Sequence, residues 1–140
     1  MVIEELKTYG ATELKDLDIL MNELSSDSFC STDKLNKVLL DDNSHLFVVR
    51  KEASLIATAT LCICHTPEFT IGCVEAVVVS SMHRGEGLGR GLMKYIIEKS
   101  REYGCAKIHL TSNPKRVAAN GLYQSIGFEK CETNYYELVI

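Results

Sequence analysis

The sequence lacks the features of several large protein classes. It has no apolar run of the about 18 residues that a membrane-spanning helix needs. Its first ten residues, MVIEELKTYG, carry acidic side chains where a secretory signal would carry basic ones. Basic residues are not in excess, since 15 lysines and arginines stand against 19 acids, for a formal net charge of −4. We therefore expect a cytoplasmic protein with no membrane or nucleic-acid partner.

Proline is scarce, and the chain has no linker. Only Pro67 and Pro114 occur, and neither a repeat nor a low-complexity tract divides the sequence. Its 140 residues can bury a core of their own, and the hydrophobic content of 46% is ordinary for a globular protein. These observations predict one domain over residues 1–140.

The cysteines follow no metal or redox motif. No pair has C-x-x-C spacing, and no histidine follows at zinc-finger distance. We expect six small buried hydrophobic residues in a reducing compartment, with a disulfide or metal role as the alternative. They are Cys30, Cys62, Cys64, Cys73, Cys105 and Cys131. Cys62 and Cys64 alternate along a predicted strand and should share one face.

Hydrophobic periodicity predicts a mixed order of strands and helices. Helices are expected at Ala11–Leu24, Thr32–Leu40 (capped by Ser31 or Thr32), Gly87–Tyr103 and Lys115–Ile126. Strands are expected at Val2–Leu6, His45–Arg50, Ser54–Cys64, Thr70–Ser80, Ala106–Thr111, Phe128–Cys131 and Asn134–Ile140. Short connections favour an antiparallel meander for the three strands between His45 and Ser80, and the crossover helix predicts a parallel pair after it.

The most informative stretch is Val74–Gly91, VEAVVVSSMHRGEGLGRG. It reads as a buried strand, a glycine-rich loop and a helix N-terminus, an arrangement whose free backbone N–H groups favour a phosphate. The alternative is a turn that needs glycines for steric reasons alone. The dinucleotide fingerprint fails in every register because the glycines recur at every second residue, and the Walker Gly-Lys-Ser/Thr triplet is absent.

Two motifs resemble those of the GNAT superfamily of acyl-CoA-dependent N-acetyltransferases. Arg84-x-x-Gly87-x-Gly89 resembles the R/Q-x-x-G-x-G/A signature of that family. A second set resembles its N-x-x-A-x-x-L-Y-x-x-x-G-F pattern, with Ala119 as an extra small residue: Asn113, Ala118, Asn120, Leu122, Tyr123, Gly127 and Phe128. The resemblance implies an α/β fold with a mostly antiparallel twisted sheet of about six to seven strands and about four helices. It is weak over the first 40 residues.

The resemblance also implies a binding site for acetyl-CoA or CoA and no metal. The loop amides would hold the pyrophosphate, and the strand before it would pair with the pantetheine amide and supply an oxyanion donor from Val77 or Val78. The residues expected to contact CoA are Val77, Val78, Val79, Arg84, Gly85, Glu86, Gly87, Leu88, Gly89, Arg90, Asn113, Asn120 and Tyr123. For Arg84 the alternative is a solvated loop arginine.

Acetyl transfer needs a base for the amine and an acid for the departing thiolate. Glu75 is the candidate base, because desolvation in an apolar strand would raise its pKa. Ala76 stands where the family often has a second acid, and the alternative for Glu75 is a carboxylate with a structural partner. Tyr123 resembles the family's tyrosine near the CoA sulfur and is the candidate acid, since a phenol with a pKa of about 10 stays protonated at neutral pH. Its alternative is a core tyrosine.

The sequence does not identify the acceptor. His65 ends a strand near the expected acceptor cleft, whereas His45, His83 and His109 are scattered and suggest no triad. The segment with Glu132, Asn134 and Tyr136 is expected to form an acceptor wall or, by the resemblance, a homodimer edge. We expect direct acetyl transfer to a primary amine of a small molecule, such as an amino sugar. The alternatives are a protein N-terminal or lysine acetyltransferase and a non-catalytic acyl-CoA-binding module.

Overall fold

The computed structural model describes residues 1–140. Its helices are α1 (Ala11–Leu24), α2 (Thr32–Leu40), α3 (Leu88–Glu102) and α4 (Val117–Ser125), with a 3₁₀ turn at Ser81–His83. Its strands are β1 (Val2–Glu5), β2 (Ser44–Lys51), β3 (Ser54–His65), β4 (Thr70–Val79) and β5 (Lys107–His109). They form one sheet in the order β1-β2-β3-β4-β5. The predicted antiparallel meander is confirmed for β2 to β4, and so is the parallel β4–β5 pair. β1 adds an antiparallel strand beside β2.

Both faces of the sheet are covered by helices, because the strands alternate. On β2, Phe47 and Val49 point into the larger core with α3 and Tyr123 of α4. Leu46 and Val48 point the other way, into a smaller cluster with Leu17, Leu35 and other residues of the N-terminal half. This alternation gives the sheet its layered α/β arrangement.

The predicted helix ends follow local signals. α1 and α2 have the predicted boundaries, and Ser31 caps α2 by accepting a hydrogen bond from the Lys34 N–H at 3.3 Å. Gly104 follows α3 with a φ of 77°, the left-handed conformation that favours glycine after a helix. Such local signals act within one or two turns, and they are therefore readable from the sequence.

The last two predicted strands do not form. Residues 129–140 are exposed and have no strand pairing, so the sheet has five strands rather than six or seven. The aromatic and β-branched side chains there, such as Tyr135, Tyr136 and Val139, favour an extended chain, but a strand also requires a partner edge. Within this chain that segment is not paired.

The cysteine prediction is also wrong in part. All six thiols are free, but none is fully buried: Cys64 and Cys131 are exposed and the other four are half-buried. The predicted shared face of Cys62 and Cys64 agrees with the β3–β4 register. Cys30 and Cys105 pack at the margins of the two cores.

A polar cluster joins β1, β2 and the end of α3. The rings of His45 and Tyr103 stack with centroids 4.3 Å apart. Glu5 accepts a hydrogen bond from the Tyr103 hydroxyl at 3.3 Å and lies 3.3 Å from His45 Nδ1. Burial acts to raise the pKa of the Glu5 carboxyl, but hydrogen bonds with Lys7 and His45 outweigh it, and the net pKa is lowered.

The lowered pKa predicts an acid-dependent contribution of Glu5 to stability. A carboxyl with a depressed folded-state pKa stabilises the fold above its unfolded pKa, and this stability is lost as the pH falls through the folded value. We expect Glu5→Gln to lower the melting temperature by about 2–4 °C at pH 7, because a partly hydrated ion pair contributes about 1 kcal/mol or less. The difference from wild type should shrink below about pH 4. Thermal unfolding between pH 3 and 7 measures it, with Glu68→Gln in an exposed turn as the control. A constant difference across this pH range would contradict the prediction.

Candidate functional site

A cleft opens between the two parallel strands. β4 pairs with β5 only over Ile71–Cys73 and Lys107–His109. Beyond Cys73, β4 continues to Val79 with no strand paired to the edge that faces β5. Parallel strands that separate after three residues leave backbone N–H and C=O groups without strand partners at a wedge-shaped opening.

A bulge in β4 decides which groups face the cleft. Ala76 has a positive φ of 53°, unusual for a residue with a Cβ, and the β3 register shifts between Thr58 and Thr60. After the bulge, the Ser80 N–H donates to the Ile56 carbonyl on β3. Backbone groups two residues apart point the same way, so the N–H and C=O of Val78 also face β3.

Val77 and Val79 therefore direct their backbone groups to the cleft. Both side chains pack against the larger core. Of the two residues predicted to offer an oxyanion donor, Val77 has its N–H on the cleft side, whereas the N–H of Val78 belongs to the β3–β4 ladder. The extra residue of the bulge shifts the alternation, so the strand places Val77 and not Val78 on the cleft side.

Glu75 precedes the bulge and lies opposite Thr60 of β3. Its side chain is exposed, so the desolvation expected from its apolar neighbours in sequence is absent. The reason is that the strand alternates: Val74 enters the core, and Glu75 points to the opposite face, where it is left uncovered. The carboxylate is accessible to a solute at the edge of the cleft.

The loop after β4 presents free backbone donors. Gly85 and Gly87 both have a φ of 80°, and a Cβ at either would meet no atom within 4 Å, so conformation and not space requires glycine there. Gly87 is the N-cap of α3, and the first intrahelical bond runs from the Gly91 N–H to the Gly87 carbonyl. The N–H groups of Leu88, Gly89 and Arg90 therefore have no partner within the helix.

The side chains around the loop are partly engaged. Arg84 Nε donates to the Val79 carbonyl at 3.4 Å, and Glu86 lies 3.0 Å from His83 Nδ1. The Arg90 guanidinium donates to Ser125 Oγ of α4 at 2.8 Å. These contacts hold the loop between β4 and α4.

Tyr123 belongs to the wall of the same region. It is the one fully buried residue of α4, its ring meets that of Phe128 edge-on at 5.9 Å, and burial raises the pKa of its phenol above the ordinary value. A Cβ on Gly89 would come within 3.2 Å of Leu122, so α4 packs directly on the first turn of α3. The phenol has no hydrogen-bond partner in the chain.

The β5–α4 connection contains the two predicted asparagines. Asn113 Oδ1 accepts from the Lys115 N–H at 2.9 Å, and the Asn120 amide donates to the carbonyls of Asn113 and Arg116 at 2.9 Å each. Both side chains therefore fix the loop. Ser112, which sequence reasoning missed, has a buried hydroxyl with no partner, the kind of group that a ligand can satisfy.

A second missed residue anchors the glycine loop from a distance. Glu23, at the end of α1, accepts from the Ser81 N–H at 2.9 Å and from the Ser81 hydroxyl at 3.0 Å. The pairing joins segments far apart in the chain, so no local signal could have predicted it. It fixes the start of the loop against the N-terminal half.

His65 and the C-terminal segment do not come together to form an acceptor site. His65 Nδ1 lies 2.8 Å from the Thr70 hydroxyl across the β3–β4 turn, while Glu132, Asn134 and Tyr136 are exposed. No group of three or more His, Cys, Asp or Glu side chains is arranged to hold a metal ion. No helix is both long and apolar enough to span a membrane.

Comparison with known proteins shows which family this chain resembles in sequence. Residues 7–128 match the family described as the acetyltransferase (GNAT) family. Glucosamine 6-phosphate N-acetyltransferase of Trypanosoma brucei brucei is 34% identical over 92 residues, which are 62% of this chain and 59% of that protein. N-acetyltransferase 8B of Homo sapiens is 30% identical over 60 residues, 43% of this chain and 26% of that protein. The matches thus span only part of these curated relatives.

The fold has close structural counterparts. The aminoglycoside 6'-N-acetyltransferase AAC(6')-IG of Acinetobacter haemolyticus superposes with a TM-score of 0.79 at 21% identity, covering 100% of this chain and 99% of that one. At 21% identity, this structural similarity shows that the two proteins share a fold, and nothing beyond the fold.

Proposed function

Because the chain belongs to the acetyltransferase (GNAT) family, we propose that it is an enzyme that transfers an acetyl group from acetyl-CoA directly to a primary amine of a small molecule. One observation carries the proposal. A strand edge with the backbone groups of Val77 and the N–H of Val79 on its cleft side leads into a glycine loop that ends at a helix N-terminus. Such a continuous track suits a ligand with an amide-containing arm and a pyrophosphate.

The pyrophosphate would lie on the loop. The N–H groups of Leu88, Gly89 and Arg90 and the positive end of the α3 dipole favour an anion there. Gly85 and Gly87 let the main chain adopt the left-handed turns that aim these groups. Arg84 and Arg90 add positive charge, with the remaining guanidinium nitrogens of each free for phosphate oxygens.

Gly87→Ala tests this assignment. A residue with a Cβ in the left-handed region costs about 1–2 kcal/mol, so the loop should relax and CoA affinity should fall roughly tenfold. Calorimetric titration with CoA measures the effect. Gly121→Ala is the matched control, since that glycine also faces open space but has no positive φ. Equal CoA affinity in Gly87→Ala and wild type would contradict a role of the loop in binding.

The chemical step assigns roles to three groups. The neutral amine attacks the thioester carbonyl carbon, the C–N bond forms, and the oxygen takes up negative charge near the Val77 N–H. Collapse of this intermediate breaks the C–S bond, and the thiolate leaves with a proton from Tyr123 Oη. Glu75, directly or through water, removes a proton from the amine. No cysteine carries the acetyl group.

The exposed Glu75 carboxylate and the names of the relatives support an acceptor class. Glu75 supplies a carboxylate where a protonated amine would approach. The relative of Trypanosoma brucei brucei and the structural counterpart of Acinetobacter haemolyticus are named for amino-sugar and aminoglycoside acetylation. These names support an amino sugar or a similar small amine here. Six free thiols further support a reducing compartment, the cytoplasm.

A homodimer would give the C-terminal segment a partner. Residues 129–140 leave Tyr135, Tyr136, Leu138 and Val139 more than half exposed. The free edge of β5 offers backbone groups for pairing. Sedimentation of the purified chain tests this part of the proposal, and a strictly monomeric species would rule it out.

The decisive experiment is a CoA-release assay with acetyl-CoA and a panel of amino sugars, polyamines, amino acids and short peptides, beside calorimetric CoA titration. Turnover with small amines supports the proposal. Turnover with peptides alone would favour a protein acetyltransferase, and CoA binding without any turnover would favour a binding module. Absence of CoA binding would overturn the assignment of the loop.

A further inference from the structure

A row of two thiols and an imidazole crosses three neighbouring strands of the sheet. Cys62 of β3, Cys73 of β4 and His109 of β5 occupy one register line across the three strands. Cys73 Sγ lies 3.4 Å from His109 Nε2, within hydrogen-bond distance for sulfur. Because side chains alternate by two, the row shares its face with Glu75. None of these three groups takes part in the acetyl transfer proposed above.

The ladder fixes the geometry of the two thiols. The Ile63 N–H donates toward β2, to the Asn43 carbonyl, so the backbone of Cys62 faces β4. The Thr70 carbonyl accepts from Ala106 on the β5 side, so the backbone of Cys73 faces β3. Cys62 and Cys73 are therefore a hydrogen-bonded antiparallel pair, with Cα atoms about 5.5 Å apart.

This separation lies within the range that a disulfide spans, about 4.4–6.8 Å between Cα atoms. The Cβ atoms of directly opposite residues are about 4.5–5.5 Å apart, whereas a disulfide requires about 3.5–4.5 Å. The strands must therefore approach slightly when the bond forms. A bond formed against such resistance is more readily reduced, which suits a reversible modification.

His109 supplies what the thiols lack. Burial raises the pKa of both cysteines, so at neutral pH each is a protonated thiol and a weak nucleophile. The His109 ring, with Nε2 as the acceptor, can take the Cys73 proton. A metal centre does not fit the row, because no group of three or more such side chains is arranged to hold an ion.

We propose that Cys62 and Cys73 are a redox-active thiol pair that a peroxide converts to a disulfide, with His109 as the proton acceptor. The Cys73 thiolate attacks a peroxide oxygen: an S–O bond forms, the O–O bond breaks, and water leaves. The Cys62 sulfur then attacks the Cys73 sulfenic acid, the S–S bond forms, and a second water leaves. Two thiols are oxidised and one peroxide is reduced, so the electrons balance.

The modification would also affect acetyl transfer, a consequence that rests on the proposed function. Thr60 and Glu75 are opposite each other two residues along the same pair of strands. Drawing β3 and β4 together at Cys62 and Cys73 would shift the Glu75 carboxylate, so oxidation is expected to slow turnover and a thiol reductant to restore it.

The test reads the modification itself and not activity. The purified protein is treated with hydrogen peroxide, remaining thiols are alkylated, and peptides are mapped by mass spectrometry. We expect loss of two hydrogen atoms and a Cys62–Cys73 cross-linked peptide that dithiothreitol reverses. Cys62→Ser or Cys73→Ser should abolish the cross-link, whereas Cys131→Ser, which removes an exposed thiol, should leave it intact.

A further variant tests the proton acceptor. His109→Gln should slow cross-linking about tenfold, because the thiolate fraction sets the rate of attack. A bridge from Cys73 to Cys64, or oxidation of Cys73 to a sulfinic acid without any bridge, would overturn the proposed pair. An unchanged rate in His109→Gln would overturn the role of the imidazole. A protein that forms the cross-link but transfers no acetyl group would refute the proposed function alone.

Discussion

Replacing Tyr123 with phenylalanine is expected to lower kcat roughly 100-fold or more while leaving CoA affinity unchanged. A general acid contributes about 10²–10⁴ to a rate. The departing thiolate of CoA needs a proton, and the phenol of Tyr123 stays protonated because burial raises its pKa. The substitution removes only the hydroxyl and keeps the ring against Phe128. Steady-state kinetics with the best acceptor and calorimetric CoA titration measure the two quantities.

The same substitution distinguishes catalysis from packing. The Tyr123 hydroxyl has no partner in the chain, so its loss should change the free energy of unfolding little. Tyr95→Phe is the matched control: Tyr95 is a half-buried tyrosine that packs against Phe47 in the same core, and it has no proposed role. A Tyr123→Phe enzyme with kcat within about threefold of wild type would leave Tyr123 as a core residue only.

Much of the fold could be predicted because local signals and the fold agree. α1 and α2 have the predicted boundaries since the apolar period of each helix ends where polar residues begin. The strands β2, β3 and β4 follow from apolar runs separated by short turns. The glycine loop was located because positive φ angles at Gly85 and Gly87 leave few alternatives to glycine.

The bulge in β4 could not be read from the sequence. Ala76 has no feature that predicts a positive φ, because the strain is imposed by pairing with β3 and not by the residue itself. That one extra residue turns the N–H of Val78 toward β3 and brings Val77 to the cleft. An apolar neighbourhood in sequence likewise suggested burial for Glu75, but burial depends on which face of the sheet is covered.

Long-range pairing accounts for the other differences. The Cys62–Cys73–His109 row exists only when three strands are in register, so their spacing in sequence carries no signal. The contact between Glu23 and Ser81 has the same origin. Residues 129–140 contain residues that favour strands but form no strand in this chain, because a strand requires a partner edge that the local sequence does not specify.

Replacing Glu75 with glutamine is expected to lower kcat/KM roughly 100-fold at neutral pH. The glutamine keeps the size of the side chain and its place opposite Thr60 but cannot accept a proton. An alkyl amine has a pKa of about 10.4, so at neutral pH most of the acceptor is protonated. Kinetics from pH 6 to 9 measure the effect, with Glu68→Gln in the β3–β4 turn as the control for a lost surface charge.

The pH dependence of the Glu75→Gln variant distinguishes a general base from a group that only binds the acceptor. If Glu75 removes the amine proton, the deficit of Glu75→Gln should narrow as the pH rises, because hydroxide and the growing fraction of neutral amine replace the missing base. If Glu75 only attracts the ammonium group, the loss should be confined to KM, with kcat unchanged. A variant that keeps both constants within about threefold of wild type would transfer the base role to a water chain. The exposure of Glu75 makes this comparison informative, since its carboxylate is open both to the acceptor and to solvent.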